Sequence, residues 1–135
     1  MKNFKFRAWD KDHKYMEYTD KNLVVCFSDE GADAVDHTTF SLSCTSMENF
    51  ELMQSTGLKD KNGAEIYEGD IVELKYPYDK RIKTKGSIVW DRYKSCFGIS
   101  MKETTERYEL YRITAGNYLT VIGNVFEHKN LLSEE

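Results

Sequence analysis

Leu58-Lys59-Asp60-Lys61-Asn62-Gly63-Ala64-Glu65-Ile66-Tyr67-Glu68-Gly69-Asp70-Ile71-Val72 holds two chain reversals and the start of a strand. Asn62-Gly63 is a strong turn dipeptide, because both residue types tolerate the positive φ angles of a tight reversal. Before it, Phe50 to Leu58 reads as a strand. After it, Ile71-Val72-Glu73-Leu74-Lys75-Tyr76 alternates with period two. Gly69-Asp70 is a second corner feeding that strand, and such a step suits entry into a small, strongly bent barrel. Asn62, Gly63, Gly69 and Asp70 are therefore the expected structural turn residues.

On either side of this stretch, short strand-like runs follow one another along the chain. Phe4, Phe6 and Ala8 share one face of an N-terminal strand, and Tyr15 to Tyr18 returns as its hairpin partner. Leu23 to Phe27 is apolar and β-branched, and Thr39 to Cys44 alternates Phe40 and Leu42 with hydroxyls. Between them, Ser28 to Thr38 reads as an acidic loop, the most mobile part of the chain. Met47 to Met53 fits helix or strand, with a strand favoured from Phe50. Tyr76-Pro77-Tyr78-Asp79 breaks the sheet, since proline cannot donate to a ladder. Ser87–Asp91 and Cys96–Met101 form a hairpin about Asp91 to Ser95, with Ile88 and Trp90 on one face and Phe97, Ile99 and Met101 on theirs. Glu103 to Ile113 is strand or a turn of helix, and Ala115-Gly116-Asn117 is a turn. Tyr118 to Phe126 is the last strand, with a bulge expected at Gly123.

Many short strands, little helical periodicity and no internal repeat predict an all-β protein. An SH3-like barrel is expected in the C-terminal half, from Gly69 onwards, with an additional N-terminal β layer. The length of 135 residues suits one domain over 1–135, with sub-lobes 1–57 and 58–135. No apolar run approaches a membrane span and the N-terminus has no apolar leader, so a cytoplasmic protein with no membrane partner is expected. Cys26, Cys44 and Cys96 are odd in number and widely spaced, which suits small buried hydrophobes better than a disulfide framework or zinc site.

Charge is uneven although the net is only −4. Glu17 to Glu51 carries eight acidic and one basic residue, whereas Lys75 to Lys94 carries seven basic and two acidic. Within that basic stretch Lys75, Tyr78, Lys80, Arg81, Lys83, Lys85, Arg92, Tyr93 and Lys94 form a basic, aromatic stripe. Cations on phosphates with aromatics under bases would suit single-stranded nucleic acid. The plainer reading makes Trp90 core and the lysines solvating groups. The opposite-signed stretches also suit complementary faces between subunits.

Catalysis has little support. Asp70, Glu73 and Lys75 contain the residue types of a divalent-metal nuclease, but Asp70 lies at an odd offset from Glu73 and points to the other face. Asp29, Glu30, Asp33, Asp36 and His37 lack the spacing of a calcium loop. His13 and His128 sit in polar turns with no partner in view. No catalytic, cofactor-binding or metal residue is assigned.

The same central stretch carries a family resemblance. Thr56 to Gly63 with Ile66-Tyr67-Glu68-Gly69-Asp70-Ile71-Val72, the opening Lys5-Phe6-Arg7-Ala8-Trp9-Asp10 with Met16, and Val121-Ile122-Gly123-Asn124-Val125-Phe126-Glu127 with Leu131-Leu132 together resemble the YopX family of phage and prophage proteins. His128-Lys129-Asn130 stands where that pattern leads one to expect a proline. The resemblance implies a phage or prophage origin and brings no activity. The expected function is thus that of a non-enzymatic accessory protein: a β-barrel interaction module without cofactors, forming a homo-oligomer or meeting a host or phage protein. Single-stranded nucleic-acid binding through the stripe is the alternative.

Overall fold

The computed structural model describes residues 4–36, 45–75, 84–102 and 107–133. The chain divides into two compact units, Met1–Ser55 and Thr56–Glu135.

In the first unit, β1 (Phe6–Asp10) pairs with β2 (Tyr15–Tyr18) and, on its other side, with the first half of β6 (Phe50–Lys59). A three-stranded sheet follows in the order β3 (Leu23–Ser28), β4 (Gly31–Asp36), β5 (Thr45–Met47). Ala8, Leu23, Ala34 and Met47 form the buried centre, with Tyr15, Val25, Phe50 and Leu52 packed against it. The expected acidic loop is therefore a strand over much of its length. Leu23 pairs with Asp36 and Ser28 with Gly31 in an unbroken register, so the reversal is confined to Asp29-Glu30. Asp33 stands exposed on the face of that strand opposite the buried Ala34, and a tally of carboxylates hides that alternation. The strand expected over Thr39–Cys44 lies outside the described residues, as do His37 and Pro77.

In the second unit, β6 ends beside β7 (Glu65–Tyr67). The Asn62-Gly63 reversal returns into this short strand, not into Ile71–Tyr76 as expected. Gly69, at φ 87°, then turns the chain into β8 (Asp70–Leu74), which belongs to a different sheet. That sheet has the order β11-β10-β9-β8-β12, built from β9 (Thr84–Asp91), β10 (Cys96–Met101), β11 (Arg107–Glu109) and β12 (Leu119–Asn124). The helix α1 (Arg112–Tyr118) precedes β12, and α2 (Asn130–Ser133) follows it. The Ala115-Gly116-Asn117 turn is thus helical, lying within α1 with Ala115 wholly buried. Ile66, Val72, Ile88, Ile99, Ala115 and Leu119 form the core. The expected bulge is present. Val121 pairs with Val72 and Gly123 with Ile71, leaving Ile122 as the extra residue.

The pairings β1–β2, β1–β6, β3–β4, β4–β5, β8–β9, β8–β12, β9–β10 and β10–β11 are antiparallel. The chain is all-β in class. No helix among the described residues is long and apolar enough to cross a membrane.

Candidate interaction surface

Among the described residues Asp10, Asp60, Asp70 and Asp91 are buried carboxylates, and burial is where reactive acids are usually found. Each of them holds a turn. Asp10 Oδ1 accepts the Asp12 and His13 N–H groups, both at 3.0 Å, and its Oδ2 lies 3.0 Å from His13 Nδ1. Burial alone would raise this carboxyl's pKa; the bonds to His13 and Asp12 outweigh it and hold the value below the ordinary 3.8. Asp91 repeats the arrangement, with Oδ1 accepting from Tyr93 at 3.0 Å and Lys94 at 3.3 Å. Both hairpins close on a residue in the left-handed region, Lys14 at φ 56° and Ser95 at φ 53°. Asp70 Oδ2 accepts the Tyr67 N–H at 2.7 Å, spanning the Gly69 corner. Asp60 does the same for the Asn62-Gly63 reversal, with Oδ1 2.9 Å from the Asn62 and Ala64 nitrogens.

Glu73 pairs in register with Lys85 and Thr120, while Asp70 is occupied at the corner. Among the described residues no group of three His, Cys, Asp or Glu side chains is placed to hold a metal ion. The histidines do have partners, contrary to expectation. His13 meets Asp10, and His128 Nδ1 accepts the Asn124 N–H at 3.2 Å. Nor are the cysteines uniformly buried: Cys26 is exposed and Cys96 half-buried, both as free thiols, because Cys26 falls on the outward side of β3.

The basic stripe divides. Tyr78, Lys80, Arg81 and Lys83 lie outside the described residues. Lys75 directly follows β8, and Lys85 sits near the start of β9, where its Nζ lies 3.5 Å from the Leu131 carbonyl oxygen. Arg92, Tyr93 and Lys94 occupy the turn at the opposite end of β9, roughly 20 Å away at a strand's rise per residue.

That far end gathers accessible aromatic surface. Tyr93 is 84% exposed, Tyr111 58% and Trp90 47%. Trp90 is therefore not core. It shares a face with Ile88, but it lies beyond Ser87, the last residue of β9 in register with β8, and packs edge-on against Phe97, ring centroids 5.0 Å apart. The Arg92 guanidinium lies 5.5 Å from the Tyr93 ring centroid. Lys94 Nζ is 4.0 Å from Glu109, whose carboxylate accepts the Tyr111 hydroxyl. That hydrogen bond, then the carboxylate's charge, raises the phenol's pKa above its ordinary value. Glu109 and Tyr111 were not singled out from sequence. The register that brings them here, Glu109 opposite Gly98, depends on a third strand with no strong pattern of its own.

Fold and surface define an all-β protein of antiparallel sheets, with its buried acids committed to turns and an aromatic, mixed-charge hairpin end. The chain belongs to the YopX family, whose model, described as YopX protein, matches residues 5–133. It is similar to the crystal structure of protein EF1440 from Enterococcus faecalis, at 25% identity and a TM-score of 0.59, covering 97% of this chain and 99% of that one. It is also similar to the X-ray structure of YopX from Bacillus subtilis, at 22% identity and a TM-score of 0.68, covering 96% and 98% respectively. The latter likeness bears on fold alone. No curated protein matches the chain.

Proposed function

We propose that this chain is a non-enzymatic accessory protein of phage and prophage origin, working in the bacterial cytoplasm as a self-associating interaction module. Its recognition surface is the hairpin end formed by Trp90, Phe97, Tyr93 and Tyr111 with Arg92, Lys94 and Glu109. An SH3-like barrel presents it, a reading supported by the order β11-β10-β9-β8-β12 with a helix before the returning last strand. The observation that carries the function is the exposure of three aromatic side chains at one strand end. Aromatic side chains supply much of the energy at protein interfaces, and a neighbouring cation–carboxylate set adds direction. Capture from host lysate with the wild type and with Trp90→Ala/Tyr93→Ala tests it. A protein retained only by the wild type, before and after nuclease treatment, is expected. Identical capture by both forms would move the surface elsewhere.

The second reading, single-stranded nucleic-acid binding, draws on Arg92 over Tyr93, a pairing that also serves base stacking. Loss of capture on nuclease treatment would favour it.

A further inference from the structure

We propose that β3 is a self-pairing edge: two copies of the chain join antiparallel along Leu23–Ser28, Val25 of each opposite Val25 of the other. The inference rests on the self-association put forward above and names where it occurs. β3 ends its sheet and pairs with β4 alone, all six of its residues in register. Among the described residues, no further backbone bond engages it from the outer side. Edge strands usually carry lysine, proline or a bulge that discourages pairing. Leu23-Val24-Val25-Cys26-Phe27-Ser28 has none of the three. Its apolar side chains also reach solvent: Val24 is 43% exposed and Cys26 exposed, and Phe27 is 61% exposed although its ring lies 5.4 Å from that of Phe6.

Geometry restricts the register. In a continuous sheet, opposed residues point to the same face, so a two-fold axis must pass through a residue pair and not between two. Centring on Val25 sets Leu23 against Phe27 and Val24 against Cys26, and at each end Lys21 of one copy meets Asp29 of the other. Centring on Cys26 would oppose Leu23 to Asp29, and centring on Val24 would oppose Lys21 to Phe27. Only the first matches apolar to apolar from Leu23 to Phe27 and positive to negative at the flanking Lys21 and Asp29. The identical antiparallel segment supplies that match at both ends, which makes a second copy the occupant.

The test uses the full chain and its mass in solution, by light scattering after gel filtration. The wild type is expected to assemble through this edge, and Val24→Lys/Cys26→Lys, which sets two lysine pairs across the axis, to halve the mass of the pairing unit with an unchanged circular dichroism spectrum. A second measurement fixes the register. With Cys44 and Cys96 replaced by serine, Val24→Cys should give a covalent dimer on oxidation, bridged from position 24 to Cys26 of the second copy. Directly opposed Cα atoms, about 4.5–5.5 Å apart, lie within disulfide range. The same background without Val24→Cys should not bridge, because its Cys26 residues stand on the diagonal. Efficient bridging through Cys26 alone would overturn the register. An assembly indifferent to the lysines would overturn the β3 edge while leaving self-association standing, and a wild-type monomer would remove both.

Discussion

Asp60 and Val121 are bonded across 61 residues of chain, the carboxylate Oδ2 accepting the Val121 N–H at 2.9 Å. The other oxygen holds the Asn62 and Ala64 N–H groups, and the Lys61 N–H donates to the Leu119 carbonyl at 3.0 Å. One buried side chain thus shapes the central reversal and ties it to the last strand beside its bulge. Asp60→Ala would leave three N–H groups without this acceptor and should cost about 3 kcal/mol, since bonds to a charged group are worth roughly 1.5–3 kcal/mol and do not simply add. Asp60→Asn, keeping one oxygen, should cost less. Urea denaturation midpoints check both.

Gly63 sits at φ 86° with open space where a side chain would go. A substitution there meets strain without a clash. Gly63→Val should therefore lose about 1–2 kcal/mol, and Gly63→Asn much less, because asparagine tolerates the left-handed region. Equal midpoints for the two variants would place the strain elsewhere.

Gly123 is the opposite case. A Cβ added there would meet the His128 ring at 2.8 Å, so glycine is required by close approach. Gly123→Ala should cost about 1–3 kcal/mol as overpacking. The same substitution in a His128→Ala background should cost markedly less, and a double-mutant cycle reads the difference. Strict additivity would show that the cost does not come from the His128 ring.

Asp10 predicts an acid limb. Its folded pKa lies below the ordinary 3.8, despite burial, because of the bonds to His13 and Asp12. A depressed carboxyl stabilises fully above its unfolded value, and that contribution is lost as pH falls through the lower, folded value. Stability should thus decline below about pH 4, with Asp10→Asn showing a shallower decline over that window. Superimposable pH profiles would contradict it.

How much of this was legible depended on the range of the interaction. The reversal at Asn62-Gly63, the bulge at Gly123 and the hairpin about Asp91–Ser95 follow from local dihedral preference and alternation, which neighbouring residues express directly. The role of Asp60 toward Val121 does not, because its partner is a backbone N–H that bears no mark in sequence. Trp90 misled for a related reason: its face was legible, but its exposure depends on where the pairing with β8 stops, at Ser87. β4 was hidden by its acids, since a two-residue reversal at Asp29-Glu30 leaves no loop to carry them. Asp10 and Asp91 were both visible as polar turn residues beside a tryptophan. Their common geometry emerged only from the paired strands, Asp10 opposite Tyr15 and Asp91 opposite Cys96.

The two functional readings differ most in their response to salt. If the basic residues bind a single strand, neutralising Lys80, Arg81, Lys83 and Lys85 together should abolish binding, and each phosphate no longer neutralised should lower the log–log salt slope by roughly 0.7. Arg92→Ala/Lys94→Ala makes a separate test, since those residues stand at the other end of β9 from Lys85 and cannot share its few phosphates. Two features oppose tight binding. The net charge of −4 repels a polyanion at long range, and at the hairpin end Lys94 already faces Glu109. The expected result is no tight single-strand binding at physiological salt, with either set of substitutions changing little. Sub-micromolar, salt-sensitive affinity that disappears in the quadruple variant would instead make nucleic acid the partner, and leave the aromatic hairpin end a secondary surface.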